Sequence, residues 1–314
     1  MVGHAALAFA LAAFLSHRYG LNAERALAVG VAAGAFAVVP DVDMGYAFVG
    51  VLTAGTTDIG GLIDAFWNAG LTVHRGLTHS LLVGGLAAVA FGLLARRDTW
   101  RFVGVATLAG MVAATLAFVG PLEAGVLASV ALAGAAVALL ARSHGLSHHA
   151  ILGAALVGML THPFGDLFTG TTPTLFYPLD VRLLPTRVEF FADPTLHLLA
   201  AFGLELATIW LALGVYLRLR GGTVWPHVHR RAVLGAAYGA VVLALPPPTL
   251  DVSYHFVFSV LAVGVVGVSA DLPVPSPRSV HSRRSVLLTG LAAITIALLA
   301  YGGAYLLLDI APSI

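Results

Sequence analysis

Long apolar runs, broken at short intervals by Pro, Arg, His and Asp, extend through the whole chain. They cover residues 3–17, 24–40, 78–95, 102–120, 122–141, 148–163, 196–217, 231–247, 254–270 and 285–308. A helix crossing a hydrocarbon core needs about 20 such residues, within a range of roughly 17 to 25. The pattern therefore predicts an all-α fold, a polytopic membrane helical bundle of about ten transmembrane or partly spanning helices. The first and sixth runs are short enough to span only in part. Pro40, Pro121 and Pro163 stand at ends or junctions, where a missing N–H costs least, and Pro246, Pro247 and Pro248 stop the eighth run. The opening stretch has neither a basic n-region nor a small-residue cleavage site, and is expected to be a retained first helix.

Between these runs, residues 41–77 and 164–195 hold much of the Asp, Thr and Pro, and are expected to be the functional loops. The expected organisation is a metal-site membrane domain over 1–195, followed by additional transmembrane helices over 196–314. No repeat and no second soluble domain is visible.

Composition sharpens the membrane reading. Of 314 residues, 59% are hydrophobic and 10% charged, with a mean hydropathy of +0.94. Soluble domains carry about 25% charged residues, so this chain has too few to cover a water-facing surface. Cysteine is absent, which excludes disulfides and thiolate ligands and leaves nitrogen and oxygen to hold any metal. A net charge of +1 gives no basis for nucleic acid as a partner. Every basic residue is Arg, so Schiff-base lysine chemistry is excluded.

The arginines also orient the chain. With an extracytoplasmic N-terminus and ten alternating helices, one side collects Arg18, Arg25, Arg96, Arg97, Arg101, Arg142, Arg218, Arg220, Arg230, Arg231, Arg278, Arg283 and Arg284, and the other only Arg75, Arg182 and Arg187. Arg-rich short loops stay in the cytoplasm. The same count, made without regard to any motif, puts His4, Asp41, Asp43, His74, His79, His162 and Asp166 together on the Arg-poor, extracytoplasmic side.

Three segments on that side carry candidate chemistry. AVVPDVDMG closes the second run; in an extended exit Asp41 and Asp43, two apart, point the same way and can face one ion. VHRGLTHSLL opens the third; Gly76 permits a turn folding His74 back toward His79, with Thr78 or Ser80 as cap and Arg75 placed to offset an anionic substrate. LTHPFGDLFTGTTP follows the sixth; His162 and Asp166 lie four apart, on one helical face, with Thr169 beside them. His4, a lone residue at the front of the first helix, gains meaning only from sharing their side. Glu189 and Asp193 are further acids in the second loop, and Glu205 falls inside the seventh helix. His144, His148 and His149 fall with the cytoplasmic arginines and read as interface residues, as do His17, His227, His229 and His281. His255 lies on the outer side, with Asp251 its only matched neighbour.

In these motifs the sequence resembles the YdjM-like family of inner-membrane proteins, a membrane-bound domain of unknown function assigned to the metal-dependent hydrolases. The resemblance rests on His4, on Pro40, Asp41 and Asp43, on His74, Arg75, Gly76, Thr78, His79 and Ser80, and on His162, Asp166 and Thr169. It covers roughly residues 1–195 and implies a membrane hydrolase with a divalent metal, without naming a substrate.

The function expected is a metal-dependent hydrolase of a phosphoester or lipid-linked substrate, acting among membrane lipids through a metal-activated water. The metal, zinc or manganese, is expected on His4, His74, His79, His162 and Asp166, with Asp41, Asp43 and Arg75 as catalytic groups. An ion or solute transporter, whose site belongs near the bilayer midplane, and a non-catalytic metal clip, with no open coordination position, are the alternatives.

Overall fold

Eleven α-helices and no strand make up the described residues, as the apolar periodicity requires. The computed structural model describes residues 2–179, 181, 183–267 and 283–310, apart from the side chains of Asp251, Asp309 and Ile310. Arg182, Arg278 and His281, assigned to the two membrane faces above, lie outside the described residues, as does the side chain of Asp251.

The helices are α1 Val2–Arg18, α2 Ala23–Val38, α3 Ala47–Thr53, α4 Ile59–Val73, α5 Leu81–Leu94, α6 Trp100–Phe118, α7 Pro121–Ser143, α8 His148–Gly165, α9 Pro194–Leu219, α10 Tyr254–Ala262 and α11 Arg283–Ile310. Among the described residues, six helical stretches are long and apolar enough to cross a bilayer: Ala23–Thr53, Trp100–Phe118, Pro121–Ser143, His148–Phe168, Pro194–Leu219 and Arg283–Leu308. The chain is thus a polytopic all-α membrane protein; with shorter apolar helices at Leu81–Leu94 and Tyr254–Gly267 beside these six stretches, the expected count of about ten transmembrane or partly spanning helices is a loose one.

Two expected boundaries shift for local reasons. Residues 41–77 are mostly helical rather than a loop. Pro40–Tyr46 form a 3-10 helix, and α3 and α4 pack as a short hairpin, with Gly50 so close to α4 that an added Cβ would lie 2.2 Å from the Ala65 carbonyl. Asp58 starts α4 by accepting from Gly61 N–H at 2.9 Å. The eighth run, 231–247, is a 3-10 helix over Arg230–Leu243.

Two units compose the chain, Met1–Val188 with Thr208–Leu219, and Glu189–Ala207 with Arg220–Ile314. Small residues let the helices of the first unit approach closely, as lipid-embedded bundles require. A Cβ at Gly30 would meet Ala13 and Phe9 of α1 at 2.8–2.9 Å, and one at Gly158 would meet the Ala33 carbonyl of α2 at 2.5 Å. Phe36 and Phe91 stack within this core, ring centroids 5.6 Å apart. In the second unit, Tyr238, Phe256 and Tyr301 cluster, with centroids 5.2–6.0 Å apart.

Within the first unit, α1, α2 and α8 are 16 to 18 residues long, about 24–27 Å at 1.5 Å per residue. Each carries a candidate ligand at or just beyond one end, and Arg18, Arg25 or His148 at the other. This arrangement gathers the candidate site at one end of the helices.

Candidate metal centre

Four chain segments deliver the site. His4 comes from the first turn of α1, Asp41 and Asp43 from the 3-10 helix after α2, His74 to His79 from the turn before α5, and His162 with Asp166 from the end of α8. Val39 stays helical at φ −58°, ψ −42°, and Pro40, which has no N–H to continue the α-helical ladder, ends α2 and starts the next turn. The chain then winds into the 3-10 helix rather than the extended exit expected from the sequence. At three residues per turn, positions two apart point about 240° apart. Asp41 and Asp43 therefore diverge, and they flank opposite edges of the His79 ring instead of facing one point.

On one edge, Asp41 Oδ1 lies 3.6 Å from His79 Nε2 and 3.3 Å from His162 Nε2. On the other, Asp43 Oδ2 accepts the Thr78 hydroxyl at 2.6 Å, and Asp43 Oδ1 accepts His74 Nδ1–H at 2.9 Å. Asp43, His79 and His162 have fully buried side chains.

The hydrogen bonds fix both buried tautomers. A carbonyl can only accept, so His162 Nδ1–H donates to Ala37 O at 2.7 Å. Thr78 gives its own proton to Asp43, so at 2.9 Å it must accept from His79 Nδ1–H. Both Nε2 atoms consequently carry bare lone pairs, and they face each other 2.9 Å apart. Such a contact needs a cation, either a proton or a metal ion, between the two nitrogens.

Asp166 adds a third donor. Its Oδ2 lies 3.1 Å from His79 Nε2 and 3.5 Å from His162 Nε2, and it is buried without a hydrogen-bond donor among the described residues. Five separations among these four atoms, His79 Nε2, His162 Nε2, Asp41 Oδ1 and Asp166 Oδ2, run from 2.9 to 3.6 Å. A tetrahedron whose corners lie about 2.0–2.1 Å from a central zinc has edges of about 3.3–3.4 Å. The set therefore has the size of a metal coordination shell. Asp41, His74 and His79 form a second group with donor atoms close enough to hold an ion.

Charge supports the same reading. Three carboxylates, Asp41, Asp43 and Asp166, are buried here, and the guanidinium within reach is that of Arg75. Three buried carboxylates against one guanidinium give the cluster an excess of negative charge, which a divalent ion would offset. Uncompensated charge in so apolar a setting costs several kcal/mol per ion.

Arg75 is held by the protein itself. Its Nη2 donates to Asp166 Oδ1 at 3.2 Å and to Thr169 Oγ1 at 3.0 Å; its Nη1 donates to the carbonyls of Thr169 and, at 2.9 Å, Thr171. Its backbone sits at φ 65°, a left-handed conformation uncommon for a residue with a Cβ. The sharp turn is shared by Arg75 and Gly76, whose φ −85°, ψ −127° lies outside the helical and extended regions, as glycine permits. It brings the His74 and His79 rings edge to face at 4.8 Å. Ser80 takes the capping role, accepting from Leu82 and Val83 N–H.

His4 stands at the more open edge. Its Nε2 is 3.5 Å from Asp166 Oδ1, and its side chain is 14% exposed. An added Cβ on Gly165 would come within 2.3 Å of its ring, so the absence of a side chain there gives His4 its seat.

All eight residues singled out by sequence come together. Thr78, read from the sequence as a cap and as part of the motif that carries the resemblance, also links Asp43 to His79, a role that no residue pattern signals. In the second unit, Asp193 accepts from Leu196 N–H at 2.7 Å and from the Tyr305 hydroxyl at 2.9 Å. His197, which no motif flags, is buried and accepts Phe190 N–H at 3.2 Å.

Residues 1–119 match the model of the YdjM inner membrane protein family. The match includes His4, Asp41, Asp43, His74, Arg75 and His79, and stops before His162 and Asp166, which the resemblance over 1–195 had included. No curated protein and no solved structure matches the chain.

Proposed function

We propose that the protein is a membrane-bound, metal-dependent hydrolase of a phosphoester or lipid-linked substrate. The carrying observation is the pair of bare imidazole nitrogens, 2.9 Å apart, enclosed by two carboxylate oxygens at coordination spacing. His79, His162, Asp41 and Asp166 would hold the ion, with His4 as a further donor at the open edge. Two nitrogens and two oxygens without sulfur suit zinc or manganese. When bound, such an ion lowers the pKa of a water ligand and polarises the scissile bond.

The chain's own residues do the rest. Arg75 aligns Asp166 from behind, leaving Oδ2 to face the ion. Asp43 and Thr78 keep His79 in the tautomer that ligates. His74, whose side chain is 12% exposed, gives the buried carboxylate Asp43 a hydrogen-bonded path to the rim for a proton. The location at helix ends favours hydrolysis over transport, whose sites lie near the bilayer midplane. The extracytoplasmic side, opposite the arginines, is the side this reading assigns to the site.

Purified wild-type protein should retain about one divalent ion per chain and hydrolyse a member of a panel of phosphomonoesters, phosphodiesters and phospholipids. His79→Ala and Asp166→Ala should lose both properties. Metal-free wild type after mild purification, or variants as active as wild type, would overturn the reading. The alternative favoured by an observation is a structural clip, since four protein donors already fill a tetrahedron. It predicts retained metal with no hydrolysis of any ester.

A further inference from the structure

The helices that end at the metal cluster begin around a cavity of opposite character. A cavity of about 1190 Å³ opens at the other ends of α2 and α8 and at the α5–α6 junction, walled by Arg25, Arg96, Arg97 and Arg142 over apolar groups including Val29 and Leu146. Arginines are ordinary on one face of a membrane protein. Here, however, they line a concavity, and two of them are held in place.

Arg96 grips Asp98 with Nε at 3.0 Å and Nη2 at 2.5 Å, and Arg142 Nη1 donates to the Arg96 carbonyl at 3.2 Å. Asp98 also accepts Trp100 N–H at 3.2 Å. The hydrogen bonds from Arg96 hold the Asp98 carboxyl below the usual carboxylate range, so this acid is engaged with its own wall. Glu24 is the other carboxylate of the lining. Four guanidiniums against two carboxylates leave an excess of two positive charges.

The backbone adds to that excess. α2 starts at the cavity with Asn22 as its cap, and α8 starts there with Ser147 as its cap. The positive ends of both helices therefore point at the same space, a favourable setting for an anion.

We propose that this cavity binds a phosphate-bearing anion, with the headgroup of an anionic phospholipid as the source that its apolar floor fits best. A guanidinium is a planar fork that matches phosphate oxygens. The apolar residues beneath would receive the glycerol and upper acyl segments, which free phosphate lacks. Basic pockets between membrane helices take up anionic lipid headgroups by the same attraction. The inference is independent of the metal centre.

The test uses delipidated full-length protein in nonionic detergent, titrated with phosphatidylglycerol, phosphatidylcholine or inorganic phosphate. Binding is read by native mass spectrometry and thermal unfolding. Phosphatidylglycerol should bind and raise the melting temperature, and phosphatidylcholine should bind at least tenfold more weakly. The variant Arg25→Gln/Arg97→Gln removes two exposed charges from the lining. It should weaken phosphatidylglycerol binding about thirtyfold, at about 1 kcal/mol per charge. Inorganic phosphate binding that the same variant abolishes would support the site and assign it to a soluble anion. Equal affinity for both lipids, or binding undiminished in the variant, would overturn it.

Discussion

Thr78 donates its hydroxyl proton to Asp43 Oδ2 over 2.6 Å, which leaves only its lone pairs to meet His79 Nδ1 at 2.9 Å. The direction of this chain, imidazole to hydroxyl to carboxylate, decides which nitrogen of His79 is free. Partners behind a metal ligand commonly change affinity by about 10–100-fold when removed. Thr78→Val keeps the shape and deletes the link, so metal affinity measured by chelator competition should fall by about that factor. Thr78→Ser should retain most of it. An unchanged affinity in Thr78→Val would remove Thr78 from the site's machinery.

Chelation should destabilise the first unit, because it removes the divalent ion that offsets the excess of buried carboxylates over the Arg75 guanidinium. An ion present at about 100 times its dissociation constant stabilises the folded state by about 2.7 kcal/mol. Thermal unfolding in detergent should shift down on adding a strong chelator and recover on adding back zinc or manganese. The same scan on Asp166→Asn/His79→Gln should show no chelator response.

Arg75 invites two readings that a single substitution separates. Arg75→Lys keeps a positive charge but loses the planar fork that reaches Asp166, Thr169 and Thr171. Hydrogen bonds from charged groups are worth about 1.5–3 kcal/mol each. If the guanidinium braces the loop, Arg75→Lys should lose about 2–3 kcal/mol of stability in the absence of any substrate, together with part of the metal affinity. If it serves only to neutralise a substrate, stability should stay within about 0.5 kcal/mol of wild type.

The bundle, and the set of His and Asp residues that meet within it, are largely legible in the sequence, because the lipid requirement writes long apolar runs and makes each His or Asp at their ends conspicuous. The arginine count predicts those residues on one side of the membrane, and they meet at one end of the helices. Less legible was the route between them. Residues 41–77 read as a loop by their Asp and Thr content, yet AFVGVLT and IGGLIDAFWNAGLTV are apolar enough to form α3 and α4. Asp41 and Asp43 look paired at a spacing of two, and only the 3-10 winding after Pro40 divides them between the two edges of His79. The role of Thr78 depends on a proton direction, which no residue pattern encodes.

Gly165 and His4 offer the sharpest test of the open edge. A Cβ at position 165 would overlap the His4 ring, at 2.3 Å from Cε1, while the rest of α8 could remain in place. Gly165→Ala should therefore act by displacing His4 from Asp166. Taken singly, Gly165→Ala and His4→Ala should each lower metal affinity by about tenfold. Because both remove the same contact, the double variant should also stand near tenfold, whereas independent sites would multiply to about a hundredfold. Metal titration of the four proteins in the cycle measures the coupling directly. A multiplicative result would mean that Gly165 matters for helix packing alone and that His4 does not depend on it for its position.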